Sequence, residues 1–205
     1  MKLYLLRHCG TDCNKKHVLM GHSLDPKINR HGKLEAKIVS KKLSLINFDV
    51  VYSSDLLRAR QTTKEIMRYQ SCPVKYVKAL RGKNMGIFEG KPRSAYDRYL
   101  RKGGGCGTNR RIPGGESHED TFKRVTDFLK KTYKKHKEHT VLFSSHGGAN
   151  REILRYIYNI PVGKNGKLIK RVPNSSLTII QFHKDGRHRV KIESDVKYLN
   201  LTKTK

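Results

Sequence analysis

The sequence predicts an α/β protein, a three-layer α/β/α sandwich with a mostly parallel central sheet. Short apolar runs typical of buried strands alternate along the chain with longer stretches whose apolar residues recur at helical spacing. The first apolar run, residues 3–6, ends directly on the polar pair Arg7-His8. Because sheets of this class bind ligands beyond the carboxyl ends of their strands, this pair marks a candidate site.

The first half of the chain contains three predicted strands and two predicted helices. The strands cover residues 3–6, 49–52 and 74–77, and the second helix covers residues 57–69. Asn29 is a candidate cap for the first helix. The apolar stripe of that helix consists of Leu34, Ile38, Val39, Leu43 and Ile46. The inward-facing residues of the second helix are Ile66 and Met67.

The second half begins with a basic, glycine-rich loop at residues 103–115. Ser117 then starts a long amphipathic helix. The apolar face of this helix consists of Phe122, Val125, Phe128, Leu129 and Tyr133. A strand at residues 140–144 and a helix at residues 147–158 follow. The two strands and the turn of a final hairpin are residues 177–182, 189–192 and 184–186.

Length and composition indicate one domain. The 205 residues suffice for a substantial core, and we expect a single domain at 1–199 with a lid segment at about 91–115 and a polar tail at 200–205. No apolar stretch is long enough to span a membrane, and the first residues lack a signal-peptide pattern, so a cytoplasmic protein is expected. The four cysteines have no CxxC spacing, which favours free thiols over disulfides or zinc ligands.

The chain is strongly basic, with 45 Lys and Arg against 17 Asp and Glu and a net charge of +28. Such a charge favours anionic partners, either phosphorylated molecules or nucleic acid. No RNA-binding signature or zinc finger accompanies the charge, and solvated basic helix faces explain it equally well. Nucleic acid is therefore a partner that no motif supports. The sequence does not determine the oligomeric state.

Three polar patterns carry residues suited to chemistry. The first, RHCGTDCN, covers residues 7–14, the second, SSDLLRARQT, covers residues 53–62, and the third, FSSHGG, covers residues 143–148. The second and third lie where a predicted strand leads into a helix, whose unpaired N–H groups favour anions. If these segments converge, two His and two Arg form a cationic pocket that suits a dianionic phosphoryl group. These residues are Arg7, His8, Arg58 and His146.

Together the patterns resemble the histidine phosphatase superfamily, whose fold is phosphoglycerate-mutase-like. The opening motif of that family is Arg-His-Gly-x-Thr-x-x-Asn, and here Cys9 replaces its glycine. The positions that match this motif are Arg7, His8, Thr11 and Asn14. Later matches are Arg58 with Gln61-Thr62, Ser145-His146-Gly147, and the phosphatase-branch segment Pro113-Gly114-Gly115-Glu116-Ser117. The resemblance runs from residue 2 to about residue 182.

The resemblance implies a metal-independent phosphatase that needs no cofactor and acts on a small phosphorylated substrate. His8 would be the nucleophile that becomes a phosphohistidine, which water then hydrolyses. The residues implied to hold the phosphoryl oxygens are Arg7, Arg58 and His146. Asn14 and Gly21 are further positions implied on the substrate side.

The chain departs from the family at the proton donor. The family segment Leu-x-Glu-x-x-Phe-Gly-x-Trp-Glu-Gly aligns without a gap to residues 80–90, LRGKNMGIFEG, and Gly82 stands where the acidic glutamate is expected. A general acid contributes about 10²–10⁴-fold to rate, and most when the leaving group is poor. The usual donor of a phosphatase is therefore missing.

Three explanations of this gap are open. Another acid could substitute, and the candidates are Asp55, Glu89, Glu116 or a residue of a flexible loop. The substrate could instead have a good leaving group, as in a phosphohistidine, an acyl or aryl phosphate or a polyphosphate. Finally, the protein could be a pseudophosphatase that binds a phosphorylated or polyanionic partner without turnover. A mutase-type phosphotransferase is less favoured, because it must move phosphoryl groups between poor leaving groups.

Four cations near these motifs could contact a second anionic group of the substrate. They are Arg81, Lys83, Arg110 and Arg111. We therefore expect a small phosphorylated substrate that is multiply anionic.

Overall fold

Six strands form one sheet in the part of the chain that the computed structural model describes, residues 1–104, 109–162, 169 and 171–202. They are β1 (Lys2–Arg7), β2 (Val50–Ser54), β3 (Val74–Val77), β4 (Thr140–Ser145), β5 (Leu177–Phe182) and β6 (His188–Asp195). The strand order is β3-β2-β4-β1-β5-β6. The first four strands are parallel, and β5 and β6 are antiparallel additions at one edge. This confirms the predicted fold class.

The helices are α1 (Asp12–Lys15), α2 (Arg30–Leu43), α3 (Leu57–Ile66), α4 (Arg93–Arg101), α5 (His118–Lys135) and α6 (Gly147–Ile157). Short 3₁₀ turns lie at Met67–Tyr69, Lys78–Leu80, Gly86–Phe88 and Lys197–Thr202. As predicted, Asn29 caps α2, and Ser117 caps α5 through reciprocal hydrogen bonds with Asp120. None of the described helices is both long enough and apolar enough to cross a bilayer.

Helices cover both faces of the sheet, because successive side chains of a strand point to opposite faces. In β1, Leu3 and Leu5 belong to a core cluster that includes residues of α5 and α6. Tyr4 and Leu6 belong to a second cluster, which includes residues of α2 and α3. All four side chains are buried, as the unbroken apolar run predicts for a strand covered on both sides.

The apolar stripe predicted for α2 is only partly correct. Leu34 is 54% exposed and lies on the solvent side of the helix. The buried face uses Val39 and Leu43 as predicted, and Ala36 in addition. Ile46 lies beyond the end of the helix and packs against the same core from the following loop. The buried apolar stripe of α2 is therefore narrower than the sequence pattern predicts, because Leu34 faces solvent.

The segment predicted as a lid, 91–115, contains a helix that the sequence did not predict. In α4, Tyr96 is buried against Phe88, with the two ring centroids 5.4 Å apart, and Ile112 joins the same cluster. Residues 105–108 of the predicted glycine-rich loop lie outside the described residues. The helix thus rests on a small apolar cluster of its own.

The segment predicted as a polar tail, 200–205, starts inside a 3₁₀ turn, Lys197–Thr202. Tyr198 of this turn is buried, and its hydroxyl donates a hydrogen bond to the Ser175 carbonyl. Residues 203–205 lie outside the described residues. The chain is therefore attached to the fold up to this turn.

The two leucines of α2 give a matched test of this packing. Leu43→Ala should lower the free energy of unfolding by about 2–5 kcal/mol, because it opens a cavity in the core. Leu34→Ala, at an exposed position of the same helix, should change it by less than about 0.5 kcal/mol. Urea unfolding followed by circular dichroism measures both values, and equal losses would contradict the assignment of the buried face.

Candidate active site

The candidate site lies where β1 and β4 end side by side. These strands pair in parallel with Arg7 opposite Ser145, so the next residues, His8 and His146, leave the sheet at the same edge. The backbone N–H of His8 donates to the Ser145 carbonyl at 2.9 Å. The centroids of the two imidazole rings are 5.1 Å apart. Strand pairing therefore joins two histidines that are far apart in the sequence.

Two arginines, the buried Arg58 and the half-buried Arg7, flank the histidines. Arg58, in the first turn of α3, donates from Nη1 to Asp25 Oδ1 at 2.9 Å and from Nη2 to the Gly21 carbonyl at 3.2 Å. Arg7 donates from Nη1 to the Val172 carbonyl at 2.6 Å. In both guanidinium groups, the buried Nε–H has no hydrogen-bond partner among the described residues. A buried donor without an acceptor is unfavourable, and an anion could supply the acceptor.

One hydrogen bond determines the tautomer of His8. Its Nδ1 lies 2.8 Å from the Cys9 carbonyl oxygen, which can only accept, so Nδ1 carries the proton and Nε2 the lone pair. Burial, and then the charges of Arg58 and Arg7, hold the pKa of His8 well below its usual value. The ring is therefore neutral at pH 7. A neutral imidazole with a free ring nitrogen is the form that can attack phosphorus.

His146 is a second buried, neutral imidazole. Its Nε2 lies 2.8 Å from the Ser54 hydroxyl, and its buried Nδ1 has no hydrogen-bond partner within the described part of the chain. Burial, and then the neighbouring Arg58, His8 and Arg7, hold the pKa of His146 well below its usual value. The His146 ring thus lies beside His8 and adds no positive charge to the site.

These four residues line a cavity of about 460 Å³. Its further cationic lining residues are Lys83, Arg93, Arg151 and Arg171. Among the lining residues that the structure describes there is no Asp or Glu. The described residues also contain no group of three His, Cys, Asp or Glu side chains placed to hold a metal ion. A concave site lined by one sign of charge concentrates small anions.

Asn14 lines the cavity, whereas Gly21 has a structural position outside its lining. The N–H and hydroxyl of Thr11 lie 3.2 and 3.0 Å from Asn14 Oδ1, and Asn174 Nδ2 donates to the same oxygen at 3.1 Å. The orientation of the Asn14 amide is thereby fixed. A Cβ at Gly21 would lie 1.8 Å from Glu89 Oε1, so only glycine leaves room for that carboxylate.

Two of the carboxyl groups suggested as substitute acids are engaged outside the cavity lining. Asp55 makes two hydrogen bonds of 2.7 Å with Arg81, and this partner holds the pKa of Asp55 below its usual value. Glu89 accepts hydrogen bonds of 2.7 and 2.8 Å from three backbone N–H groups. These belong to His22, Ser23 and Leu24. Both carboxylates therefore hold structure in place.

The third, Glu116, forms with Arg124 a clamp on residues 78–84. Arg124 donates to both carboxylate oxygens, at 2.9 and 2.8 Å, and Glu116 also accepts from the Asn84 N–H at 2.9 Å. Burial opposes ionisation, but Arg124 outweighs it and holds the pKa of Glu116 below its usual value. Four carbonyls also accept from Arg124, at 3.5, 2.9, 2.9 and 3.1 Å, those of Lys78, Ala79, Arg81 and Gly82. The clamp fixes this segment against α5.

Gly82 lies directly beside His146. A Cβ at Gly82 would be 3.2 Å from His146 Cβ and 3.4 Å from Cγ, closer than most such contacts. The Gly82 carbonyl accepts a hydrogen bond from His22 Nε2 at 2.8 Å. The position where the family acid is expected therefore reaches the site but carries no side chain.

Of the four cations expected to meet a second anionic group, the structure brings Lys83 into the described cavity lining. Arg81 is ion-paired elsewhere. Arg111 binds Asp120 through two hydrogen bonds, at 2.8 and 3.0 Å, on the protein surface. Arg110 is exposed and is not among the described lining residues.

Sequence reasoning missed three cavity cations and two supporting carboxylates. The cations are Arg93, Arg151 and Arg171. Asp25 fixes Arg58, and Glu35 accepts the Gly10 N–H of the first motif at 2.8 Å. No local pattern marks these residues, because folding alone brings their segments to the site.

Comparison with known proteins identifies the class. The model of the histidine phosphatase superfamily, branch 1, matches residues 3–195, so the chain belongs to this family. A broad-specificity phosphatase of Saccharomyces cerevisiae is 33% identical over 195 residues, which are 91% of this chain and 82% of that protein. The fructose-2,6-bisphosphatase TIGAR of Mus musculus is 30% identical over 175 residues, 81% of this chain and 64% of that protein.

Solved structures show the same fold. The Bacillus stearothermophilus protein YhfR superposes with a TM-score of 0.86 at 22% identity, covering 97% of this chain and 98% of that one. The predicted family resemblance is therefore confirmed by sequence, and the predicted architecture by structure.

Proposed function

We propose that the chain is a metal-independent phosphatase, a phosphoric monoester hydrolase that acts through a phosphohistidine on His8. One observation carries the proposal. His8 is buried and neutral, with its lone pair on Nε2, in a cavity whose described charged lining residues are all cationic. In the first step Nε2 bonds to phosphorus as the bond to the leaving oxygen breaks. In the second, water displaces His8 and phosphate leaves.

The cavity offers a means of stabilising the charge that develops on the phosphoryl oxygens. Arg7 and Arg58 are anchored at one end and already oriented, so they need no reorganisation during the reaction. His146 adds a hydrogen-bonding ring beside the nucleophile. Asn14, whose Oδ1 is engaged, would contribute its amide N–H to an oxygen of the substrate.

The cavity favours substrates with good leaving groups. Its described lining contains no carboxyl group, and the three named substitute candidates are engaged elsewhere. Departure of a basic alkoxide therefore has less help than in relatives with a carboxylic acid. Aryl, acyl and histidine phosphates and polyphosphates need less protonation and would react faster.

The substrate would carry a second anionic group. Lys83, Arg93, Arg151 and Arg171 all line the cavity, and although Arg93 is also paired with Asp97 at 2.9 Å, together they bring more positive charge than one phosphoryl group requires. The similar mouse protein is named for a bisphosphate substrate, which is in line with such a cavity. A bisphosphate or a phosphorylated carboxylic acid is the class that this charge fits.

A second candidate function is that of a pseudophosphatase that holds a phosphorylated partner. The observation that favours it is Gly82 at the position of the family acid. This alternative predicts that phosphate raises the melting temperature while no phosphoryl group is ever transferred to His8. A mutase-type activity is disfavoured for the same reason, because both of its half-reactions need an acid.

Trapping the intermediate tests the phosphatase. Wild-type protein mixed with para-nitrophenyl phosphate and denatured in alkali should gain the mass of one phosphoryl group. His8→Ala should gain none and should lose roughly 10³-fold or more in kcat, because the nucleophile is absent. His183→Ala, at an exposed position beyond β5, is the matched control. Equal turnover by wild type and His8→Ala would exclude this mechanism.

Restoring the acid tests the leaving-group preference. Wild type should hydrolyse para-nitrophenyl phosphate far faster than glycerol 2-phosphate. Gly82→Glu should raise the alkyl-to-aryl rate ratio by at least about 10-fold over Gly82→Ala. Gly82→Ala is the control because its Cβ meets His146 in the same way. An identical alkyl-to-aryl rate ratio in the two variants would count against the missing acid as the cause of the leaving-group preference.

Removing one cavity charge tests the substrate class. Arg93→Gln should raise KM for a sugar bisphosphate by roughly 10-fold, a loss of about 1.4 kcal/mol, and raise KM for para-nitrophenyl phosphate less. Arg98→Gln, on the same helix but outside the described lining, should affect neither value by more than about twofold. If Arg110→Gln raised KM for the bisphosphate more than Arg93→Gln did, the second anionic group would instead bind near the loop that carries Arg110.

A further inference from the structure

The cavity holds one side chain that could supply the missing proton. His8 is assigned to nucleophilic attack, and both buried imidazoles are neutral. The arginines that line the cavity do not release protons at physiological pH. We propose that Lys83 is the general acid that protonates the leaving oxygen, a role that rests on the phosphatase activity proposed above.

The chain places Lys83 next to the reacting groups. It directly follows Gly82, which lies against His146, and its backbone nitrogen faces the start of α6, 3.8 Å from a Cβ position at Gly148. Lys83 and His8 are both among the residues that line the cavity. The ammonium Nζ lies 3.5 Å from the Tyr96 hydroxyl oxygen and 5.8 Å from the centroid of that ring. The Lys83 backbone therefore lies beside the start of α6, and its ammonium contacts Tyr96 of α4.

The backbone on both sides of Lys83 is held. Arg124 donates to the Gly82 carbonyl at 3.1 Å, and Glu116 accepts from the Asn84 N–H at 2.9 Å. A proton donor needs such support, because general acid catalysis requires the donor within hydrogen-bond reach of the leaving oxygen. The ion pair with Arg124 that keeps Glu116 ionised thus also holds the backbone around Lys83, next to Gly82.

The surroundings of Lys83 adjust its acidity. Burial comes first, and it lowers the pKa of Lys83 to about 8. Three carboxylates act in the opposite direction, Glu152 of α6, Glu116 before α5 and Asp120 of α5, while Arg93 of α4 adds to the lowering. Tyr96 of α4 and the cavity cation Arg151 of α6 also lie around the group. A lysine near this value is protonated at pH 7 and still able to donate.

The balanced reaction needs no further reactant than water. As Nε2 of His8 bonds to phosphorus, the ester P–O bond breaks and the leaving oxygen takes a proton from Lys83 Nζ, giving a neutral alcohol. The Lys83 amine then takes a proton from the water that attacks phospho-His8. Phosphate departs, and both side chains return to their starting forms.

A lysine is a weaker acid than the carboxylic acid of the family, so the preference for good leaving groups remains. The help from Lys83 falls mainly on substrates with poor leaving groups. Because the protonated form is the donor, this help is present below pH 8 and lost as the pH rises through about 8. The dependence of the rate on pH and on the leaving group therefore distinguishes proton donation by Lys83 from a purely electrostatic effect of its charge.

The test compares wild type, Lys83→Gln and Lys83→Arg on glycerol 2-phosphate and para-nitrophenyl phosphate. Lys83→Gln should lower kcat for the alkyl substrate about 10²-fold and for the aryl substrate much less. Lys83→Arg keeps the charge but not a removable proton, so it should keep KM near the wild-type value and lose the same alkyl rate. Wild-type alkyl turnover should decline above about pH 8, and this decline should be absent in both variants.

Lys91→Gln is the matched control. Its Nζ also lies over an aromatic ring, 5.6 Å from the Phe88 centroid, but the residue is outside the described cavity lining. Equal losses on both substrates, or an unchanged pH profile in Lys83→Gln, would overturn the proposal and leave the phosphatase intact. Absence of any wild-type phosphoenzyme would instead overturn the phosphatase itself. If Lys83→Gln does not fold, Lys83→Arg and the wild-type pH profile decide the question.

Discussion

The site depends on the parallel pairing of β1 with β4. The register sets Arg7 opposite Ser145, and the hydrogen bond from the His8 N–H to the Ser145 carbonyl carries this register one residue past the sheet. Both strands are buried on both faces, so a slip would move apolar side chains off their helices. Core packing thus fixes the relative position of two imidazoles that make no hydrogen bond to each other in the described hydrogen-bond network.

Concentrating cations in one cavity has an electrostatic cost, and the protein limits this cost by keeping some of the groups neutral. His8 and His146 give up their charge, and burial, then Arg171 and Arg58, lower even the pKa of Arg7 to about 10. Asp25 offsets Arg58 from outside the lining. What remains is a set of oriented donors with no Asp or Glu among the described lining residues, which is the arrangement that favours an incoming anion.

The carboxylates of this basic chain are used as structural partners. Asp55, Glu89 and Glu116 each bind guanidinium or backbone N–H groups that hold loops around the cavity. The partners of Asp55 and Glu116 hold the pKa of each carboxyl below its usual value, so both groups are poor proton donors. The donor that we propose in place of a side chain at Gly82 is therefore a cation, Lys83. The same clamp that withdraws Glu116 holds the segment from which Lys83 enters the cavity.

The sequence alone determined the strand–helix alternation, the caps at Asn29 and Ser117, and the convergence of Arg7-His8 with the Ser145-His146 segment. These features follow from local periodicity and from the rule that parallel strands end at one edge. Which cations surround the cavity was decided only by tertiary structure, which places Lys83 and the Asp97-paired Arg93 in the lining and leaves Arg111 paired with Asp120 outside it. Long side chains reach several ångströms from the backbone, so their partners depend on loop paths that no local pattern encodes.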